Sequence, residues 1–351
     1  MLKTIFKARK RKAERPVLKE HEIKIVDACN RYFLLTPHQI NRLLYKGGVQ
    51  NRYSQLRALA TDKYLQVVNL GRHNPYGRAP IAYALGSAGR TVLMKLGNDV
   101  PKRLRIYATK GETTDGKDED IPMHRPHTLA VNDFLIAAEL VSNPHISFFR
   151  FVHEKTLFSQ RLPVVLPSGK ATSIAPDAFI EFRISDSRGR HRACLIHEED
   201  LGTEHRPAWT NKILAHLECM KGMYQDRFDV KRFAFTVHTT KGEDRLEELC
   251  QWTEKVLLDQ NVGKAIRNSF YFSSFSAETA SPNQLFIAPV WYRAFRERPL
   301  PILQVALDEV ESDSDTDRVT VLPPRHISDK IRITLKFQEE QEAYADLLLP
   351  D

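Results

Sequence analysis

The sequence predicts an α+β or α/β chain with two folded units, and three observations lead to this fold class. Its 351 residues are more than one small core can organise. With 42% apolar and 27% charged residues, the composition is that of globular domains. Helical and strand patterns alternate, except in a charged, turn-rich stretch at 101–126. We therefore expect folded units at 20–100 and 127–300, joined by this linker.

The charge of the chain is unevenly distributed. The net charge is +8, and the first twenty residues contain eight Lys or Arg against two Glu. This composition predicts a basic arm over 1–19, which either lies along a phosphate backbone or is a solvated terminus. Six acids and no base between Asp308 and Asp317 predict an acidic linker within a tail at 301–351. The alternative for that tail is DNA mimicry or autoinhibition of the arm.

Two classes of protein are disfavoured by what the chain lacks. No run of 18 apolar residues occurs, and the N-terminus has charges where a signal peptide needs an apolar stretch. We therefore expect a cytoplasmic protein with no membrane partner. The four cysteines are irregularly spaced without a C-x-x-C pair, so buried thiols are expected instead of a zinc site or disulfides.

The first unit begins with three short helical patterns followed by a hairpin pattern. Thr36 and Pro37 are a good N-cap and first helical residue, so they predict the start of the second helix. The apolar face of the third helix is expected to carry Tyr53, Leu56 and Leu59. The expected elements are helices from residue 21, at 37–45, 49–63 and 87–96, and strands at 65–70 and 81–85.

Three helices followed by a two-stranded hairpin is the order of a winged helix-turn-helix, whose third helix enters the major groove of DNA. Gln, Asn and Arg side chains near the start of that helix can contact base edges, and a cationic loop between the strands can contact the backbone. The predicted DNA-binding residues are Gln50, Asn51, Arg52, Gln55, Arg57, Arg72, His73 and Arg78. The alternative is a winged helix used for protein contacts.

The second unit has the pattern of a partly antiparallel sheet with helices. The expected helices are 127–141, 207–225 and 243–258, and the expected strands are 146–157, 173–184, 192–199, 231–238, 269–275 and 285–291. A further segment, 330–337, could pair with a sheet edge. His124 and His127 are three residues apart, but Pro126 lies between them, so a histidine metal site is disfavoured.

One predicted hairpin concentrates the acidic side chains. If Ser185 and Arg190 face each other across the turn, Asp177 faces Glu198, with β-carbons about 5 Å apart. Asp200 then shares their face, and Glu199 points to the other. Such a cluster favours a hard divalent cation, so Asp177 and Glu198 are candidate Mg²⁺ ligands that would activate water against a phosphodiester. The alternative is a solvated polar strand end.

Several segments resemble the replication-relaxation family of plasmid and mobile-element proteins, over about residues 20 to 258. In the first unit these are LLTPHQINRLLY, LRALATDKYL and YALGSAGRTVLMKLG. In the second unit they are HTLAVNDFLIAAEL, similar to the His- and Asn-bearing helix of the family, IAPDAFIEF, similar to its Pro-Asp strand, and EEDLGTE, similar to its acidic strand end.

The resemblance implies a second unit similar to a divergent PD-(D/E)XK nuclease, a mixed sheet flanked by helices. Asp177 and Glu198 match the two metal-binding carboxylates of that fold. Asp200 stands where a nuclease has its lysine, and an aspartate cannot supply the positive charge. Lys212 on the next helix could supply it, near Glu204 or His216, or could be a surface lysine. The candidate catalytic residues are Asp177, Glu198, Asp200 and Lys212.

The expected function follows from both units. We expect a DNA-binding protein of a plasmid or mobile element that acts in replication, DNA relaxation or transfer, with an Mg²⁺-dependent nicking or endonuclease activity. The alternative is a non-enzymatic DNA-binding regulator or adaptor with an inactive nuclease-like unit. The expected partners are double-stranded DNA, replication or mobilisation proteins and, as an open alternative, a second copy in a homodimer.

Overall fold

The computed structural model describes residues 18–45, 50–70, 81–100, 124–295 and 298–306. Several predicted segments lie wholly or largely outside these residues. They are the basic arm, the loop between the two strands of the first unit, the linker up to residue 123, and the acidic tail with its predicted strand at 330–337.

The first unit has the predicted order of helices and strands. It contains α1 (Glu20–Arg31), α2 (Pro37–Leu44), α3 (Gln50–Thr61), β1 (Leu65–Asn69), β2 (Ile81–Leu85) and α4 (Ser87–Lys95). The predicted cap of α2 is confirmed, because Thr36 Oγ1 accepts a hydrogen bond from the Gln39 amide at 3.1 Å. The Gln39 side chain accepts one from the Thr36 amide at 3.0 Å, which completes a capping box. Strands β1 and β2 pair antiparallel.

The second unit is built around a six-stranded sheet. Its elements are α5 (His124–Glu139), β3 (Ile146–His153), α6 (Glu154–Phe158), β4 (Leu162–Val165), β5 (Ala171–Ile174), β6 (Ala178–Asp186), β7 (Gly189–Asp200), α7 (Arg206–Met220), α8 (Met223–Phe228), β8 (Ala234–Thr239), α9 (Glu243–Asp259), α10 (Lys264–Arg267), β9 (Phe270–Ser273), α11 (Pro282–Ile287) and β10 (Tyr292–Arg293). The strand order is β10-β9-β8-β7-β6-β3. Strands β7, β8 and β9 run parallel, and the other pairs are antiparallel. The mixed sheet flanked by helices confirms the α+β class.

The predicted register of the β6–β7 hairpin is confirmed. Ser185 faces Arg190, and the ladder continues in that register as far as the pair formed by Ala178 and His197. The turn between Asp186 and Gly189 fixes this pairing. A one-residue slip would exchange the side chains that one strand presents to the two faces of the sheet.

Four of the predicted elements are wrong in kind or extent. The predicted strand 173–184 is divided between β5 and β6, which belong to different sheets. The predicted strand 146–157 ends at His153. This residue is the N-cap of α6, because its Nδ1 accepts a hydrogen bond from the Lys155 amide. The predicted helix 207–225 is interrupted at Gly222, whose φ of 151° separates α7 from α8. The predicted strand 285–291 is wrong, because its first three residues belong to the helix α11, which Ser281 caps and Pro282 begins.

Helix α5 joins the two units through one continuous core. Buried residues of α1, α2 and α3 belong to the same apolar cluster as those of α5, β3 and β6. At its centre the Asn132 side chain, fully buried, donates to the backbone carbonyls of Tyr32, at 3.1 Å, and Leu34. Its Oδ1 accepts from His153 Nε2 at 2.9 Å. Asn132 therefore ties the turn between α1 and α2 to the sheet unit.

We expect Asn132→Ala to lower the free energy of unfolding by at least about 2 kcal/mol, because it leaves buried polar groups in both units without partners. Urea unfolding followed by circular dichroism measures this loss. Asn98→Ala is the matched control, since Asn98 is exposed and its side chain donates a hydrogen bond to Asp27. Equal losses in the two variants would contradict the role given to Asn132.

Two expectations about composition can be compared with the structure. All four cysteines, Cys29, Cys194, Cys219 and Cys250, are buried free thiols, as predicted. Within the described ranges, no helix combines the length and the apolar composition needed to cross a bilayer.

Candidate active site at the strand ends

The candidate active site lies where β7 ends and α7 packs against the sheet. Glu198 is 2% exposed, and Lys212 Nζ lies 3.1 Å from its Oε2. Lys212 also forms an ion pair with Glu204. One turn further along α7, His216 Nε2 lies 3.1 Å from Glu198 Oε1, although the two groups are not aligned for a hydrogen bond. The structure thus places Lys212 in the carboxylate cluster, whereas a freely solvated lysine was the alternative.

The charges of this pair stabilise each other. Burial alone would raise the pKa of Glu198, but Lys212 and His216 outweigh burial and lower it well below the usual range. Burial alone would lower the pKa of Lys212, but the carboxylates of Glu198, Asp177 and Glu204 raise it above its usual range. Both groups are therefore charged at neutral pH. Lys212 interacts electrostatically with both predicted metal ligands, Asp177 and Glu198.

Asp177 lies one residue before β6 and does not pair with Glu198 as predicted. The regular ladder ends at Ala178, and the Asp177 amide donates to the carbonyl of His197 at 3.0 Å. The Asp177 side chain, instead of a backbone carbonyl, accepts the next hydrogen bond: its Oδ2 accepts from the Glu199 amide at 2.9 Å. This side-chain capping of the strand end shifts Asp177 out of direct register with Glu198.

His127 of α5 is held between two carboxylates. Its Nε2 lies 3.2 Å from Asp177 Oδ2, and its Nδ1 lies 3.0 Å from Glu154 Oε2. Burial alone would lower the pKa of His127, but Asp177 and Glu154 outweigh burial and raise it to about 11. The other oxygen of Glu154 is bonded by Thr128 and Lys155. His127 therefore neutralises Asp177 and fixes its orientation.

The two acids that follow Glu198 are used differently. Arg245 binds Asp200 with two hydrogen bonds, at 3.0 and 2.9 Å, and Thr239 donates a third at 3.0 Å. The predicted catalytic contribution of Asp200 receives no support from these contacts, because both of its oxygens are engaged by other residues. Glu199 has a separate set of partners, as strand alternation predicts, and its carboxylate lies 2.9 Å from His238 Nδ1.

Asp177 and Glu198 are the two carboxylates of the cluster that the sequence predicts as ligands of a divalent cation. The described contacts of Asp177 involve Oδ2, and no hydrogen bond from the described residues reaches Glu198 Oε1. Carboxylate oxygens are the ligands that Mg²⁺ prefers, but Glu198 Oε1 also lies 3.1 Å from His216 Nε2. Within the described ranges, one group of three residues could also hold a metal ion, His127, Glu154 and Asp177, whose candidate ligand atoms lie within 4.8 Å of one another. The sequence pattern disfavours His127 as a metal ligand and does not single out Glu154, although the HTLAVNDF segment resembles the His-bearing helix of the family.

The predicted DNA-binding residues of α3 differ in solvent exposure. Arg57 is exposed, whereas Gln55 is half-buried and the Arg52 guanidinium lies over the Tyr45 ring, 3.6 Å from its centroid. Tyr53, expected on the apolar face, is 39% exposed, so that expectation is wrong. The side chains of Gln50 and Asn51, together with Arg72, His73 and Arg78, lie outside what the structure describes.

The fold and the site define a class of α+β proteins in which carboxylates at one end of a mixed sheet are met by a lysine and a histidine from the flanking helices. Within that class, the chain belongs to the replication-relaxation family, whose family model matches residues 30–229, more than half of the chain. This membership supports a role in plasmid or mobile-element replication and relaxation. The match spans both units, including Asp177, Glu198 and Lys212.

Two other comparisons found no similar protein. No curated protein matches the chain, and no solved structure matches its fold.

Proposed function

We propose that the chain is a DNA-binding protein of plasmid or mobile-element replication, and that it nicks or cuts DNA at the Asp177, Glu198 and Lys212 cluster. One observation carries the proposal. Lys212 extends from α7 to within 3.1 Å of Glu198, and thus supplies the positive charge that Asp200 cannot supply from the strand. The position of a lysine beside two carboxylates at strand ends matches the chemistry of phosphodiester cleavage.

Each residue of the cluster would have its own task. Asp177 and Glu198 would hold Mg²⁺, which when bound would neutralise phosphate charge and lower the pKa of a water molecule. Lys212 would stabilise the charge that develops on the phosphate oxygens. His127 would orient Asp177 through the contact at 3.2 Å, as partners of metal ligands commonly do.

The first unit would bind duplex DNA. Its helices and the β1–β2 pair follow the order of a winged helix, in which α3 is the helix that enters the major groove. On α3, Arg57 and Tyr53 are exposed and lie four residues apart, so they project from one face of the helix. An exposed arginine on that face is suited to bidentate contact with guanine.

We expect Arg57→Ala to weaken binding to the preferred duplex by about 1–3 kcal/mol, because a base-edge contact is lost. Fluorescence anisotropy with the full chain and a labelled duplex selected from a random library measures the affinity. Lys95→Ala is the control, since it removes one exposed charge from the same unit on α4. Equal affinities of Arg57→Ala and Lys95→Ala would exclude α3 as the reading helix through Arg57.

A second candidate function is a DNA-binding adaptor that does not cut. It is favoured by the neutralisation of both carboxylates by the protein's own cations, Asp177 by His127 and Glu198 by Lys212. Conversion of supercoiled plasmid to nicked or linear forms in the presence of Mg²⁺ or Mn²⁺ distinguishes the two candidates. Cleavage supports the nuclease, whereas binding without cleavage on supercoiled, linear and single-stranded DNA supports the adaptor.

A further inference from the structure

A basic cleft lies at the far end of the β6–β7 hairpin from the candidate active site. It has a volume of about 460 Å³ and is formed by the start of β3 and the strand ends next to the turn. Half of its ten lining residues carry basic side chains, and none is acidic. The basic residues are His145, Arg183, Arg190, His191 and Arg192.

The arginines of the cleft lie on two neighbouring strands. Arg183 faces Arg192 directly across the β6–β7 ladder, and Arg190 follows two residues from Arg192 on the same face of β7. Two residues along a strand span about 7 Å. The positive charges thus form a patch two strands wide, with Arg183 beside Arg192 and Arg190 further along β7. A patch of this kind fits a repeating polyanion better than a single small anion.

Two of these guanidinium groups have no acidic partner among the described residues. Arg192 is paired with Glu181, with a closest contact of 2.7 Å. Arg183 lies over the exposed ring of Phe149, 3.5 Å from its centroid, and no carboxylate contacts it. Arg190 is exposed and likewise has no carboxylate partner in the described ranges. Unpaired cations gathered at one surface are the electrostatic footprint of a phosphate backbone.

Nearby acids do not cancel this charge. Asp186, at the turn, has a fully buried side chain that accepts hydrogen bonds from Arg188 and from the Ala306 amide. Glu181 is shared between Arg150 and Arg192. Asp229 lies 3.7 Å from Arg192. No carboxylate of the described residues contacts Arg183 or Arg190, so their charge faces solvent.

The cleft lies on the same sheet face as the candidate active site. Glu198 and Arg192 are both even-numbered residues of β7, so their side chains share one face, and six residues of strand separate them by about 20 Å. Between them, Cys194 and Ile196 of the same face are buried, so the cleft and the carboxylate cluster do not form one continuous open surface.

We infer that this cleft binds the phosphate backbone of DNA through Arg183 and Arg190. The inference rests on the proposed DNA-binding function and adds a second, sequence-independent contact on the sheet unit. Backbone contacts of this type position a duplex but do not read its bases.

The test compares the full chain with the double variant Arg183→Ala/Arg190→Ala. Anisotropy titrations of labelled duplexes between about 50 and 200 mM salt give the slope of log K against log salt concentration. Losing two phosphate contacts should make the slope shallower by about 1.8, and affinity should fall equally for unrelated duplex sequences. The control Lys170→Ala/Lys264→Ala removes two exposed charges elsewhere on the unit and should keep the wild-type slope. Because Arg183 and Arg190 are exposed, both double variants should melt at the wild-type temperature.

The possible outcomes separate this inference from the proposed function. A wild-type chain that binds no duplex at any salt concentration overturns both. A wild-type slope in Arg183→Ala/Arg190→Ala overturns this inference alone and leaves the winged-helix contact standing. If that slope is unchanged while polyglutamate binds the wild type and not the double variant, the cleft is a site for an acidic protein, and the inference is also overturned.

Discussion

Replacing Glu198 with glutamine should abolish divalent-dependent nicking of supercoiled DNA while leaving DNA affinity within about twofold of wild type. The variant keeps the size of the side chain but removes the charge that a metal ion and Lys212 both need. Asp177→Asn should also abolish nicking, because it removes the negative charge of the other proposed metal ligand. Its amide oxygen can still accept the hydrogen bond from the Glu199 amide, so the variant should stay folded. Plasmid conversion followed on agarose gels, with anisotropy on the same preparations, measures both quantities.

The role of Lys212 in this reaction has its own matched pair of variants. Lys212→Met should slow nicking by about 10²–10³, the loss typical of one group that stabilises transition-state charge. Lys221→Met is the control, since Lys221 caps the end of the same helix and forms an exposed pair with Glu218. If Glu198→Gln is inactive but Lys212→Met nicks DNA at the wild-type rate, Lys212 is not part of the proposed site.

The second large effect is on stability. Arg245→Ala should lower the free energy of unfolding by about 3–5 kcal/mol, because it leaves the nearly inaccessible carboxylate of Asp200 without its cation. Chemical denaturation with urea measures this loss. The double variant Asp200→Asn/Arg245→Ala should recover part of it, because no uncompensated charge stays buried.

The same variants distinguish a structural Asp200 from a catalytic one. Asp200→Asn should retain most of the nicking rate after correction for the folded fraction, since Arg245 and Thr239 engage its carboxylate. A loss of rate as large as that of Glu198→Gln, in a protein that is still folded, would return Asp200 to the catalytic set that the sequence predicted.

Local signals predicted much of the fold. The cap at Thr36 and the register of the β6–β7 hairpin were predictable because both depend on residues close together in the chain. Helix α11 also had a local signal, Ser281 followed by Pro282, but its apolar run has the composition of a strand. Where two local signals conflict, packing against the rest of the protein decides, and the sequence alone does not show that packing.

The site was predicted less completely because its contacts cross long stretches of chain. Asp177 and His127 are 50 residues apart, and Asp200 and Arg245 are 45 apart. Spacing within one hairpin could place Asp177 near Glu198, but could not show which cation neutralises each carboxylate. Only the position of α7 against the sheet brought Lys212 to Glu198, and only α5 brought His127 to Asp177.

The continuous core through α5 has a consequence for where a cut would fall. Asn132 anchors the α1–α2 turn to the sheet, and the Glu139 carboxylate holds Arg31 and the Tyr32 hydroxyl from the same helix. Under the proposed function, this joint would hold α3 and the carboxylate cluster at one fixed distance. When α3 binds its recognition sequence, the carboxylate cluster would lie at one fixed offset along the duplex. Each recognition sequence would therefore have a single cleavage position.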